Sequence, residues 1–288
     1  MEMSYKKYMD LATQSTVELA KNYGMGFQSQ LNSQIAEVEG LANGTNIQNL
    51  VLENYNGVTL GNDSPYYTNV TDLFATASDY AGNNVNYYLY DVNGYYITSS
   101  ENTNTDDWQE HMAIPVEDIT ETKILQCSPL DEIESIDVVS PIIIKSQIVG
   151  LIRANITSRY FGSFIPEDGS AFIMTNDGGY LFTSTGLTGQ RELETQAFNC
   201  LNGADNAKDY GHLKASSFKN IYGFCKLSDS NWLYLIKQQG TQYQQILATL
   251  PITMSITLII ILMIAIWVSR ILSAKYTEPI FTLRDNMT

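Results

Sequence analysis

Apolar residues near the N-terminus recur at helical spacing. Six of them follow one another by three or four positions: Tyr23, Phe27, Leu31, Ile35, Val38 and Leu41. This spacing predicts a long helix over residues 9–52 with one apolar stripe, which Gly40 and the NGT at 43–45 weaken toward its end. The stripe has two compatible interpretations. It covers a sheet, or it also pairs with the same helix of a second copy.

Further along the chain the pattern changes to short β-branched and aromatic segments, which predict strands. Residues 85–91 and 95–100 flank Val92-Asn93-Gly94, and residues 138–144 and 148–156 flank a short polar turn. Asn and Gly accept the positive φ angles that tight hairpins need, so each pair is predicted to form a β-hairpin.

The second half of the chain repeats this arrangement. AFIMT and YLFTS flank NDGG, and YGFCKL and WLYLIK flank SDSN. Gly178 follows Gly94 by 84 residues, and SNWLYLIK (230–237) follows SQIVGLIR (146–153) by the same 84. Two hairpins that share one offset predict two copies of one module. Each module is expected to be α+β, with a small antiparallel sheet whose one face carries helices and loops.

One segment has the composition of a membrane helix. Residues 246–268 contain no charged residue over 23 positions, and a helix of that length spans about 34 Å, enough for a hydrocarbon layer of about 30 Å. The alternative is a buried helix of a soluble core.

The charges around this segment predict its orientation. Arg270, Lys275 and Arg284 follow it, whereas Lys237 is the one basic residue in the fifteen positions before it. Positive charge favours the cytoplasmic side, so residues 1–245 are expected outside and the C-terminus in the cytoplasm. The competing interpretation is a tail anchor with residues 1–245 in the cytosol. Export of residues 1–245 leads us to expect a first membrane helix upstream.

Composition excludes several functions. The net charge of −15 argues against nucleic acid as a partner. The three cysteines form no C-x-x-C pair and there are two histidines, so a zinc, redox or other metal site is not predicted. Cys200 and Cys225 form a disulfide or remain thiols. No catalytic motif occurs, so we expect neither an enzyme nor a cofactor.

The order of these elements resembles a known family, the double Cache sensors of bacterial transmembrane receptors. The segments that carry the resemblance are YLYDVNGYYITSS, SPIIIKSQIVGLIRANI, GSAFIMTNDGGYLFTS and YGFCKLSDSNWLYLIK. The tail SRILSAKYTEPIFTLRDNM resembles the start of a HAMP linker. The resemblance implies two tandem PAS-like modules, with the ligand in the membrane-distal one.

The resemblance and the repeat together suggest a division of the chain. The expected parts are a signalling helix (1–53), a membrane-distal module (54–158), a membrane-proximal module (159–240), a membrane helix (246–268) and the start of a HAMP linker (269–288).

Amino-acid-binding members of the family carry Arg-x-Trp-Tyr after the first hairpin and an Asp that ends the last strand of the module. Here Trp108 matches, Asp106 and Gln109 replace the Arg and the Tyr, and Asn155 replaces the Asp. Without that Arg to clamp a carboxylate, a typical α-amino acid is not expected as the ligand. The acidic residues Asp106, Asp107, Glu110 and Asp131 in this neighbourhood favour a cationic or neutral solute.

The candidate ligand-binding residues lie in or beside the loop region 101–135: Trp108, Asp131, Asn155, Tyr90 and Tyr96. An indole ring is suited to stacking on an organic ligand or a cation. The alternatives are that Trp108 fills the core and that the acidic residues are solvated loop charges.

The function expected from these features is the input module of a signalling receptor. It would sense a small extracellular solute, act as a homodimer, and pass a conformational signal through the membrane helix to a cytoplasmic output domain. The alternative is a membrane-anchored binding or scaffold protein without output. The HAMP-like apolar spacing of the tail favours the receptor.

Overall fold

The structure, a computed structural model, describes residues 2–56, 64–101, 108, 114–126, 135–166, 168–182, 187, 189–202, 209–215 and 220–272. For residues 2–6, 8 and 240–252 it describes the backbone alone. Thr13–Ser216 and Ile221–Gln238 form one compact unit, which holds nearly all of both β-sheets. The C-terminal helix belongs to a second unit.

Two helices occupy the N-terminal segment for which the sequence predicts one. Helix α1 spans Glu2–Ala42 and helix α2 spans Thr45–Tyr55. The break lies where the NGT predicts a weak point. Gly44 is extended, with φ −68° and ψ 130°. The side-chain amide of Asn43 donates to the carbonyl oxygen of Glu39 at 2.8 Å, a local hydrogen bond that competes with continuation of the helix.

The apolar stripe of α1 is buried by the chain itself. Phe27, Leu31 and Val38 are fully buried, and the ring of Phe27 lies 4.5 Å from that of Phe161 and 6.4 Å from that of Tyr234. The stripe therefore covers the sheets, as the first interpretation predicts. Tyr23, Ile35 and Leu41 of the stripe are only partly buried, and pairing of the stripe with a second copy stays a prediction.

Helix α1 approaches the second sheet closely at a glycine. A Cβ atom added at Gly223 would lie 2.6 Å from the carbonyl oxygen of Thr16, which is closer than real Cβ atoms come. Glycine is required here because only its missing side chain lets the helix backbone reach the strand.

A third helix, α3 (Pro65–Tyr80), was not predicted. It packs on the first sheet through Phe74, whose ring stacks on Tyr87 at 5.7 Å.

Two separate five-stranded antiparallel sheets follow. The first contains β1 (Val85–Asp91), β2 (Tyr96–Ser99), β3 (Lys123–Gln126), β4 (Ser135–Ile144) and β5 (Gln147–Thr157). The second contains β6 (Ala171–Met174), β7 (Tyr180–Leu181), β8 (Tyr210–Leu213), β9 (Asn220–Leu227) and β10 (Trp232–Gln239). Their orders, β2-β1-β5-β4-β3 and β7-β6-β10-β9-β8, are the same arrangement twice. The predicted α+β class with two PAS-like sheets is confirmed.

The opening hairpins of the two sheets use the same turn chemistry. Gly94 has φ +84° and Gly178 has φ +87°. In the first turn the backbone N–H of Gly94 donates to the carbonyl oxygen of Asp91 at 3.0 Å, and in the second that of Gly178 donates to the carbonyl oxygen of Thr175, also at 3.0 Å. The shared spacing of 84 residues therefore marks equivalent turns.

The remaining helices are α4 (Arg191–Asn202), which lies between β7 and β8 in the chain, and α5 (Gly240–Leu272). Within α5, Thr253–Leu272 is long and apolar enough to cross a membrane, with a mean hydropathy of 2.4. The large apolar side chains of this segment are exposed, which does not fit the alternative of a buried core helix. Most of the HAMP-like tail, residues 273–288, falls outside the described residues.

Candidate functional site

One face of the first sheet, opposite the face that packs on α1, carries buried polar side chains. Strand register arranges them in two neighbouring rows, Tyr88–Arg153–Val139 and Asn86–Asn155–Asp137. Residues directly opposite each other on antiparallel strands point to the same face. We call these two rows, together with Tyr90 and Leu151 in the adjoining row, the polar face.

A buried ion pair lies at the centre of the polar face. Nε of Arg153 is 3.0 Å from Oδ1 of Asp137, although its N–H is not aligned for a hydrogen bond. Arg153 is 4% exposed and Asp137 is 0% exposed. Burial opposes the charge of Arg153, but the Asp137 carboxylate outweighs this effect and raises the pKa of the guanidinium, which stays protonated.

Asn155 holds the carboxylate of this pair in place. Its side-chain amide donates to Oδ1 of Asp137 at 2.9 Å and to the hydroxyl of Ser135 at 3.0 Å. Oδ1 of Asp137 therefore contacts both Arg153 and Asn155, and these two contacts fix the orientation of the carboxylate.

Four buried polar atoms of the polar face have no hydrogen-bond partner among the residues that the structure describes. They are Oδ1 of Asn86, Oδ2 of Asp137, and Nε and Nη1 of Arg153. A buried polar atom left unpaired costs about 1–3 kcal/mol and more when it is charged, so such atoms are normally paired. Their concentration in two rows marks this face as the candidate site.

Aromatic rings cover the polar face. The Trp108 ring meets Tyr90 edge to face at 5.8 Å, and Tyr90 meets Tyr96 in the same manner at 6.5 Å. The guanidinium of Arg153 lies 5.1 Å from the centre of the Tyr88 ring. Burial raises the pKa of Tyr88 and of Tyr90, while the charge of Arg153 opposes that rise.

The predicted site residues that the structure describes come together on this side of the sheet. Tyr90, Tyr96 and Trp108 form one aromatic group, and Asn155 lies on the polar face. Trp108 is fully buried, and its indole N–H already donates to the carbonyl oxygen of Ile114 at 2.6 Å. Its N–H is thus occupied, so only its ring is left for a ligand to contact. Asp131 lies outside the described residues.

Sequence reasoning missed Arg153 and Asp137. Each is a charged residue inside an otherwise apolar strand, in IDVVSPIII and in IVGLIRANI. A charge in such a strand is costly to bury unless it is paired, so two of opposite sign on consecutive predicted strands were a usable signal.

The other candidate chemistries find no support in the described part of the chain. No group of three or more His, Cys, Asp or Glu side chains there could hold a metal ion. Cys200 and Cys225 are free thiols, so of the two alternatives for this pair the structure has the thiols. Burial raises the pKa of both, which makes them less reactive.

No protein-family model and no curated protein matches this sequence. Solved structures do match its fold. A domain of a sensory box/GGDEF family protein from Vibrio parahaemolyticus has a TM-score of 0.59 at 9% identity, covering 82% of this chain and 98% of its own. The sensor domain of the V. cholerae histidine kinase DctB has a TM-score of 0.52 at 12% identity, covering 81% and 98%.

A third match is the ligand-binding domain of the Campylobacter jejuni chemoreceptor Tlp3, solved with L-valine. Its TM-score is 0.52 at 14% identity, and the match covers 81% of this chain and 95% of that one. The chain has the fold of these sensor domains. At such identities the similarity concerns the fold, and the fold expected from the double Cache resemblance is confirmed.

Proposed function

We propose that this chain is the sensing input module of a bacterial transmembrane receptor and not an enzyme. It binds a small solute outside the cell and passes a conformational change through α5 to a cytoplasmic output domain. The observation that supports this most strongly is the polar face, where buried donor and acceptor atoms lack partners inside a fold that sensor domains share.

The proposal places the solute in the first module, taken as residues 54–158, against the polar face. Trp108, Tyr90, Tyr96, Asn155 and Asp131 are its proposed binding residues. The solute is cationic or neutral, not a typical α-amino acid, because Arg153 is already paired with Asp137 and is poorly placed to clamp a free carboxylate. The second module, residues 159–240, would relay the change.

The proposed topology puts residues 1–245 outside and the C-terminus in the cytoplasm. It is supported by the membrane-type segment Thr253–Leu272 and by the three basic residues that follow residue 268. A cysteine at Asp205 should react with an impermeant thiol reagent on intact cells after Cys127, Cys200 and Cys225 are replaced, and one at Asn286 should not. The reverse labelling pattern would establish the tail-anchor topology.

We also propose that the receptor acts as a homodimer. The half-buried Tyr23, Ile35 and Leu41 of the apolar stripe leave part of α1 accessible for contact with a second copy. Crosslinking in the membrane, followed by mass determination, tests this part separately.

The central experiment is a thermal-shift screen of polar solutes with the full chain in detergent. A solute that stabilises the protein should bind more weakly to Trp108→Phe, which keeps most of the folding stability but alters the ring beside Tyr90. Trp232→Phe in the second sheet is the matched control and should leave affinity unchanged. A solute whose affinity depends on Trp232 and not on Trp108 would refute the placement.

A further inference from the structure

The unpaired atoms of the polar face define the chemistry of the solute more narrowly. Resting on the proposed function, we propose that the solute is uncharged and carries a carboxamide or urea group held by Arg153, Asp137 and Asn86. None of these three residues occupies a position of the motif that the chain shares with amino-acid-binding sensors.

A ligand at this face should offer hydrogen-bonding groups complementary to the unpaired atoms. Two of the unpaired atoms are acceptors, Oδ1 of Asn86 and Oδ2 of Asp137, and two are donors, Nε and Nη1 of Arg153. Asn86 of β1 and Asp137 of β4 lie in one row on either side of Asn155, and Arg153 lies in the neighbouring row on β5. A primary amide offers the complement, because its NH₂ group donates twice and its carbonyl oxygen accepts.

Other polar groups fit less well. A carboxylate offers no donor to Asn86 or Asp137 and would be repelled by the Asp137 carboxylate. An ammonium group offers no acceptor to Arg153 and would be repelled by its charge. A zwitterion meets both kinds of atom, but it brings two charges to a site whose own charges are already paired at 3.0 Å, so both of its charges lose their hydration without a free counter-ion.

The surroundings suit a flat or apolar body attached to that amide. Tyr90, Trp108, Val139 and Leu151 form one apolar cluster with Tyr88 on this side of the sheet. Its aromatic members already meet edge to face, an arrangement that a further ring can extend.

The test uses probes of one shape and different charge on the full chain in detergent. Benzamide should bind with at least tenfold higher affinity than benzoate, benzylamine, L-phenylalanine or N,N-dimethylbenzamide, as measured by isothermal titration calorimetry. The dimethyl compound keeps the carbonyl acceptor but has lost both N–H donors. Tighter binding of L-phenylalanine, or equal binding of the dimethyl compound, overturns the proposal, and so does the absence of benzamide binding at millimolar concentration.

Two conservative variants test the residues. Asp137→Asn replaces one acceptor oxygen of the carboxylate with an NH₂ donor, and Arg153→Lys removes the donor at Nη1. Each change should therefore weaken benzamide binding at least tenfold. Asp72→Asn, an exposed position on α3, is the matched control and should leave binding unchanged. Variants that stay folded by circular dichroism and bind benzamide as the wild type does overturn the proposal. If a variant fails to fold, the probe series on the wild type still decides.

The failure of this inference differs from the failure of the proposed function. If Trp108→Phe weakens the binding of a solute whose affinity is unchanged by Arg153→Lys, the proposed sensing site is supported and the amide assignment is wrong. If every solute that binds depends on the second sheet, the proposed site itself falls.

Discussion

The two sheets share one strand order but differ on the face that points away from α1. In the second sheet this face is mostly apolar, although the buried hydroxyl of Tyr180 also has no hydrogen-bond partner among the described residues. Its packing against Leu193, Ala197 and Leu201 of α4 uses Phe172, Met174, Tyr222, Phe224, Leu233 and Leu235. In the first sheet Tyr88 lies opposite Arg153, whereas Phe172, 84 residues later, lies opposite Leu235. Apolar packing closes this face in the second module, whereas the same face of the first module carries charged groups.

This difference separates a structural role from the proposed binding role within one fold. The apolar face stabilises its module by excluding water. The polar face places an ion pair where desolvation costs several kcal/mol for each ion, with unpaired atoms beside it. We infer that the charged groups of the first face lower the stability of its module and serve to bind the solute.

The largest expected effect comes from splitting the ion pair. Arg153→Met leaves Asp137 buried without its counter-ion and should lower the free energy of unfolding by about 3–5 kcal/mol. The double variant Arg153→Met/Asp137→Leu makes the first face resemble the second and should recover that loss, or exceed wild-type stability by about 1–4 kcal/mol. Urea unfolding of the three proteins measures both steps. A double variant as unstable as the single one would mean that the pair is needed for folding.

A cavity in the second face should affect stability alone. Leu235→Ala removes a fully buried side chain and should cost about 2–5 kcal/mol. Solute affinity per folded molecule should not change. Reduced affinity in this variant would show that the second face also takes part in binding.

The contact of α1 with the second sheet should produce a smaller effect. Gly223→Ala forces the helix backbone at Thr16 away from β9 and should cost about 1–3 kcal/mol. Amide exchange in β9 should rise at the same time.

The control is Gly40→Ala, which lies on α1, the helix that contacts Gly223. Nothing lies within 4 Å of the added Cβ, so this change should stabilise α1 by about 0.4–1 kcal/mol. Loss of stability in both variants would mean that the close contact at Gly223 is not the cause.

The smallest expected effect is the dependence on alkaline pH. Burial raises the pKa of Tyr88 in the first sheet and of Tyr234 in the second above the usual value near 10. Their contribution to stability is therefore complete below that value and is lost as pH rises beyond it. Ultraviolet titration should show these tyrosines ionising only as the protein unfolds, and Tyr88→Phe should remove part of that late step. An unchanged titration in Tyr88→Phe would contradict the assignment.

The sequence predicted most of the fold because hairpins depend on local residues. The turn at Gly94 and its repeat at Gly178 need only Asp, Asn and Gly at fixed spacing. The edge strands β3 and β8 were missed, since each has four residues and is specified by its pairing with a neighbour. Helix α3 was also missed, and it is buried through Phe74, which stacks on Tyr87 of β1.

The candidate site was predicted in part. Aromatic residues such as Trp108 stood out by type, but the meeting of Asp137 with Arg153 depends on the register of β4 against β5. A slip of β4 by one residue against β5 would put Asp137 on the opposite face from Arg153. The irregularity between Ile142 and Ile143 sets the register that brings Asp137 opposite Asn155, and the predicted turn residues alone do not indicate it.

The most direct test of the account is amide hydrogen exchange of the full chain with and without a solute that stabilises it. The account predicts protection in β1, β4 and β5, around Asn86, Asp137 and Arg153, and no direct protection in the strands of the apolar second face. That protection should be absent in the Arg153→Met/Asp137→Leu variant. Protection confined to β6, β9 and β10, or retained in full by the double variant, would contradict the claim that the polar face is the binding surface.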